Sequence, residues 1–265
     1  MGRRDFLLGL SLVMLLLMTA CTPLRPAPPL PPTPTIFQVT GSSDLAPVVA
    51  AAQRCLSRQH PSFHLLYTPT NTTTGLQLLD QGAADIALAS WLPRGEAPPY
   101  HVQPLGPDGV ALIAHPAVGV KELDLTRARQ VFSGRYLRWS ELGGADVPIR
   151  LVSREEGSGT RAAVEQLLME GEPVALTAVI MPGARDVVDY VARHEGALGY
   201  VSVRVADARV RVLALDGLLP SQDAVEKGIY PLTRATYAVF TDRGWALRDI
   251  FSPRPCAEEH TPGAQ

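Results

Sequence analysis

Residues 149–161 read IRLVSREEGSGTR, and the way this stretch changes character half-way along decides the fold class. Residues 149–153 form a short apolar run of the kind that makes a buried strand, and a helix is expected over 160–170. The turn between them, Glu156-Gly157-Ser158-Gly159-Thr160, is small and rich in hydroxyls. Outward from this stretch the same order recurs. Apolar runs lie at 37–40, 64–68, 85–89, 110–115, 197–201, 211–215 and 236–240, with helical stretches at 46–59, 75–81, 125–132 and 187–194. Such alternation predicts an α/β architecture with mostly parallel sheet.

The composition narrows the function. A chain of 265 residues suits one large domain or two lobes and can bury an ample core. With 26 acidic against 24 basic side chains and no basic run, nucleic acid is not an expected partner. Three cysteines without C-x-x-C spacing give no zinc site, and Pro61 separates His60 from His64. No metal or cofactor is expected. Ser158 does not lie in a G-x-S-x-G elbow and no acid and base pair stands out, so the chain is not read as an enzyme.

The beginning of the chain reads as an address. Arg3 and Arg4 precede an apolar stretch from Phe6 to Met18, the order of an export signal over residues 1–20. Met18-Thr19-Ala20-Cys21 resembles the bacterial lipobox, which implies a lipid on Cys21, and Arg3-Arg4 with Phe6-Leu7 resembles a twin-arginine export signal. Residues 21–35 then carry prolines at 23, 26, 28, 29, 31, 32 and 34, a density that favours an extended spacer. The expectation is an exported protein tethered by lipid to the outer face of the membrane, with its body starting at residue 36.

Three junctions between strand and helix deserve chemistry: Gly41-Ser42-Ser43-Asp44, Asn71-Thr72-Thr73-Thr74-Gly75 and the turn at 156–160. Each can be an ordinary helix cap. The same geometry also makes an anion site, because unpaired amides and the positive helix end favour oxygens carrying negative charge.

Seven blocks, among them GSSDLAPVV (41–49), TTTGLQLLDQGAADIALAS (72–90), VFSGRYLRWSELGG (131–144), IRLVSREEGSGTR (149–161) and EGALGYVS (195–202), occur in an order that resembles the periplasmic phosphate-binding protein of ABC phosphate importers. The resemblance implies a two-lobed type II binding-protein fold with a hinge. It divides the body into a first lobe over 36–115, a second over 116–200, a return over 201–256 and a tail over 257–265. It implies an anion cage of Ser42, Ser43, Asp44, Thr73 and Ser90 from one lobe and Arg154, Ser158, Gly159 and Thr160 from the other, since a guanidinium forks onto two oxygens while hydroxyls and amides fill the rest. Inorganic phosphate is the expected ligand, an ABC permease the expected partner, and a monomer the expected state.

Two positions depart from that family. Asp44 stands where a Thr is usual, and Trp91 stands where an Asp accepts the proton of hydrogen phosphate; indole only donates. Either Asp44 takes over as acceptor or the selectivity for phosphate is weakened, and the plain alternative for Asp44 is that it caps its helix. Another oxyanion (molybdate, tungstate or sulfate), or a surface sensor that has lost transport, are the alternatives. Arg161 is expected to pair with Glu156 or Glu165. With Cys21 lipidated, Cys55 and Cys256 remain, and oxidising surroundings favour a bridge between them.

Overall fold

The computed structural model describes residues 33–92 and 100–252. Its first unit is β1 (Thr35–Ser42), α1 (Ala46–Gln59), β2 (Phe63–Thr70), α2 (Thr72–Asp80) and β3 (Ile86–Ala89). Both β2 and β3 pair parallel with β1, the arrangement that crossover helices enforce. Pro47 in the first turn starts α1, whose buried face is Val49, Ala52, Cys55 and Leu56 at helical spacing. All four residues of β3 are buried, with Ile86 and Leu88 facing one core cluster and Ala87 the other.

A single long strand carries the chain to the second lobe. β4 (His101–Ala114) pairs antiparallel with β11 (Thr233–Phe240) through its first part, up to Gly109, and with β8 (Ala197–Ser202) from Val110 onward. In the second lobe β6 (Arg150–Arg154) pairs parallel with β8 and with β7 (Val179–Met181). One sheet therefore runs β2-β1-β3-β11-β4-β8-β6-β7 across both lobes. The helices here are α3 (Leu125–Phe132), α4 (Gly159–Leu167) and α5 (Ala184–Arg193). Alternate residues of β4 serve two cores, Leu112 and Ala114 packing with Phe132 and Trp139, Ala111 and Ile113 with Val187 and Val191. The parallel pairing expected from the sequence joins β1 to β2 and β3 and β6 to β7 and β8, and the crossing strands pair antiparallel with each other, with β3 and with β8.

Val110 packs in the core cluster that holds Leu112, Phe132 and Trp139, and Ala224, Val225, Tyr230 and Leu232 pack in the same cluster ahead of β11. Cys55 is disulfide-bonded. Cys21 and Cys256, with the signal, the lipobox, the spacer before residue 33 and the tail, lie outside the described residues.

Candidate functional site

All the junctions nominated by the sequence fall at the carboxyl ends of parallel strands, the edge where open α/β sheets hold ligands. β1 ends at Ser42, β3 is followed by Ser90, β6 ends at Arg154 and β8 at Ser202. Glycines set the spacing: a Cβ on Gly75 would lie 2.5 Å from Cα of Gly41, so α2 approaches β1 backbone to backbone and Thr72 arrives beside Ser42 and Ser90.

Asp44 is the centre. It lies inside the short turn Ser43–Leu45 that leads into α1, and the amide its carboxylate accepts from is that of Ser202 rather than one of α1. It crosses to the second lobe instead. Oδ2 accepts from Arg154 Nη1 at 3.2 Å and from the Thr160 hydroxyl at 2.6 Å, while Oδ1 accepts from the Ser202 amide at 2.9 Å. The Ser42 hydroxyl, 3.4 Å from Oδ2, also reaches Ser90 Oγ at 2.8 Å. Asp44 and Arg154 are both buried, with side chains 0% and 1% exposed.

Electrostatics keep the pair ionised. Burial pushes the Asp44 carboxyl up, but the Arg234 and Arg154 guanidiniums, the Thr160 hydroxyl and the Ser202 amide together hold it below the usual carboxylate range. Burial likewise works against the Arg154 charge, and the Asp44 and Glu155 carboxylates outweigh it. Arg154 is fully engaged: it also donates to Glu155, to Ser43 Oγ at 3.3 Å, and to the carbonyls of Met181 and Pro182. Its strand is fixed by Tyr200, whose hydroxyl accepts from the Arg154 amide and whose pKa burial raises to about 12.

The expected residues fall into two groups. Ser42, Asp44, Ser90, Arg154 and Thr160 form one buried polar cluster, with half-buried Ser43 at its edge. Thr73, Ser158 and Gly159 instead line an adjoining cleft of about 580 Å³ shared with Trp91 and Arg161. Ser158 caps α4, accepting from the Arg161 amide at 3.3 Å, and the Thr73 amide donates to the Gly157 carbonyl across the cleft. The hydroxyl that joins the cluster from α2 is that of Thr72, which accepts from the Ser90 amide at 3.1 Å. Arg161 pairs with Glu165 at 2.8 Å, as one of its two expected partners. The amides of Gly159 and Thr160, the first two of α4, have no acceptor within their helix.

Besides Thr72, sequence reasoning missed Ser202, Arg234 and Asp108. Ser202 supplies an amide to Asp44. Arg234 donates to Thr160 Oγ1 at 2.8 Å and, through Nε and Nη2, to Asp108 Oδ2. Asp108 also accepts from the Ser202 hydroxyl at 2.8 Å and lies 3.2 Å from Arg204 Nη1. A buried Asp and Arg in strands otherwise rich in apolar residues, at Asp108 and Arg234, are the signals that point to them. Among the described residues no group of His, Cys, Asp and Glu is arranged to hold a metal ion.

Comparison with known proteins fits this geometry. The model of the PBP superfamily domain matches residues 28–250. The chain belongs to that superfamily. It is similar to the phosphate-binding protein PstS of Bacillus subtilis, 28% identical over 207 residues, which cover 73% of this chain and 66% of that protein's length. A phosphate-bound structure of a Clostridium perfringens protein described as a putative phosphate ABC transporter substrate-binding protein superposes with a TM-score of 0.77 at 28% identity, covering 82% of this chain and 92% of that one. An ABC-type phosphate transport receptor from Vibrio cholerae gives 0.64 at 27% identity, covering 81% and 92%. The two-lobed binding-protein fold expected from the sequence is thereby confirmed.

Proposed function

We propose that the protein is an extracytoplasmic receptor that captures inorganic phosphate and delivers it to an ABC importer. The observation that carries this reading is Arg154, a buried guanidinium of the second lobe whose Nη1 and Nη2 donate to Asp44 and Ser43 of the first. A tetrahedral anion held between the lobes would draw on this guanidinium, on the Thr160 and Ser90 hydroxyls and on the free amides that open α4. The match to phosphate-binding relatives supports phosphate within the class of oxyanions.

Capture works by population shift: a ligand closes the lobes only to the extent that it binds the closed form better than the open one. Arg154, Thr160 and Ser202 belong to one lobe and Ser42, Asp44 and Ser90 to the other, so the full donor set exists only in the closed form. The closed body then docks on a permease. In this reading Cys21 carries the lipid, the proline-rich stretch between it and β1 serves as the tether, the protein acts as a monomer, and it performs no chemistry on its ligand.

Titration calorimetry with phosphate tests the proposal. Wild-type protein binds, and Arg154→Ala loses about 2–5 kcal/mol of binding free energy, the usual consequence of removing one partner of a buried charged hydrogen bond. Equal binding by the two proteins would sink it. A thermal shift series with arsenate, sulfate, molybdate and tungstate ranks the competing oxyanions, because a ligand that binds only the native state raises its melting point.

A further inference from the structure

We propose that the Asp44 carboxylate is the resident anion of the cage, so that an external oxyanion has to displace it from its donors and enters together with a proton. The inference rests on reading the cleft as an oxyanion receptor. Its starting point is occupancy: Arg154 and Thr160, the donors expected to hold a ligand, already serve Asp44 at 3.2 and 2.6 Å. The Thr160 hydroxyl has one proton, and that proton points at Oδ2 because its oxygen accepts from Arg234. The Ser202 amide is likewise committed, to Oδ1. These donors come from β6, α4 and β8 of the second lobe, and the carboxylate comes from the first, so the contact that closes the lobes is internal.

Charge leads to the same result. Around the cage the carboxylates of Asp44, Glu155 and Asp108 are matched by the guanidiniums of Arg154, Arg234 and Arg204. The site is balanced before any ligand arrives. An added dianion would lie beside a buried ionised carboxylate, and like charges in one desolvated site do not both persist. Neutralising Asp44 frees Arg154 and Thr160 and removes the repulsion in one step. The titratable groups that face Asp44 are Arg154 on β6, Arg234 on β11 and Tyr67 on β2, and those guanidiniums in turn meet Glu155 just after β6, Tyr200 on β8 and Asp108 on β4, the last also paired with Arg204 beyond β8. Asp186 lies in the first turn of α5, which packs near Ser43.

The test compares phosphate and sulfate binding by wild type, Asp44→Asn and Asp44→Thr in calorimetry. Asn keeps the shape and removes the charge; Thr removes both. Both variants should bind phosphate at least about tenfold more tightly than wild type. Sulfate carries no proton of its own near neutrality, so wild-type sulfate affinity should rise from about pH 8 to about pH 5, and the rise should vanish in Asp44→Asn. Variants that melt as wild type does yet gain no phosphate affinity overturn the proposal. So does wild-type sulfate binding that is indifferent to pH, a result that needs no variant to fold. Tight binding by wild type with weaker binding by both variants removes this inference and leaves the receptor reading in place. Absence of binding by all three proteins removes both, while binding by the variants alone supports the resident anion and removes phosphate capture by the wild type.

Discussion

The molecule buries two Asp–Arg pairs about the same polar cluster, and they do different work. Asp108 and Arg234 sit on the two crossing strands, β4 and β11, which are hydrogen-bonded neighbours, and Arg234 pairs with Asp108 through two nitrogens. Asp44 and Arg154 come from opposite lobes, and no strand ladder links β1 to β6. The first pair stays together however the lobes move, because its strands are zipped. The second exists only while the cleft is shut. A buried pair within one sheet segment fixes a hinge, whereas a buried pair across a cleft is a closure contact that a ligand can replace.

Breaking the hinge pair should have the largest effect on stability. Asp108→Ala leaves the Arg234 guanidinium, 0% exposed, with only the Thr160 oxygen as acceptor, and also strands the Ser202 hydroxyl and Arg204. Removing one partner of a buried pair typically costs about 3–5 kcal/mol, because the surviving charge stays desolvated. Urea unfolding should show that loss in Asp108→Ala, in ligand-free protein. A loss of under about 1 kcal/mol would mean that the crossing strands do not depend on the pair, and the contrast between hinge and cleft would fail.

Thr160 connects the two pairs, since it accepts from Arg234 and donates to Asp44. Thr160→Val keeps the β-branched shape and deletes both bonds. The expected cost is about 1–3 kcal/mol, the penalty for leaving buried polar partners unsatisfied, smaller than that for Asp108→Ala because both charges keep other partners. Combining Thr160→Val with Asp108→Ala sharpens the comparison: coupled pairs give a double variant less destabilised than the sum of the singles, and independent pairs give simple additivity.

Much of this arrangement was legible in the chain before its coordinates. The helices expected at 46–59 and 125–132 appear with those bounds, because proline in the first turn, apolar spacing and an Asp124 cap all agree. The first half of β4 was not legible. Pro104, Gly106, Pro107 and Gly109 break the alternation, and the strand is tolerated there because the pairing with β11 is bulged. In the site, hydroxyls and glycines at strand ends announced the anion chemistry, and the resemblance supplied Arg154. The partner that Asp44 chose was invisible locally: 110 residues separate it from Arg154 and 158 from Ser202. Thr72 rather than Thr73 enters the cluster because one position along a helix start turns a side chain by about 100°.

The outermost pair sets the floor of the comparison. Arg161 and Glu165 lie one helical turn apart on α4, at the rim of the cleft, with side chains 24% and 22% exposed. Water reaches both, so the attraction is screened and the entropy of holding two long side chains offsets part of it. Arg161→Ala should cost less than about 1 kcal/mol in urea unfolding, and the difference from wild type should shrink further as salt is raised. A loss as large as that of Asp108→Ala would place Arg161 inside the buried network, through its 3.4 Å contact to the Arg154 carbonyl, and would shift the boundary of the closure contact outward by a full helical turn.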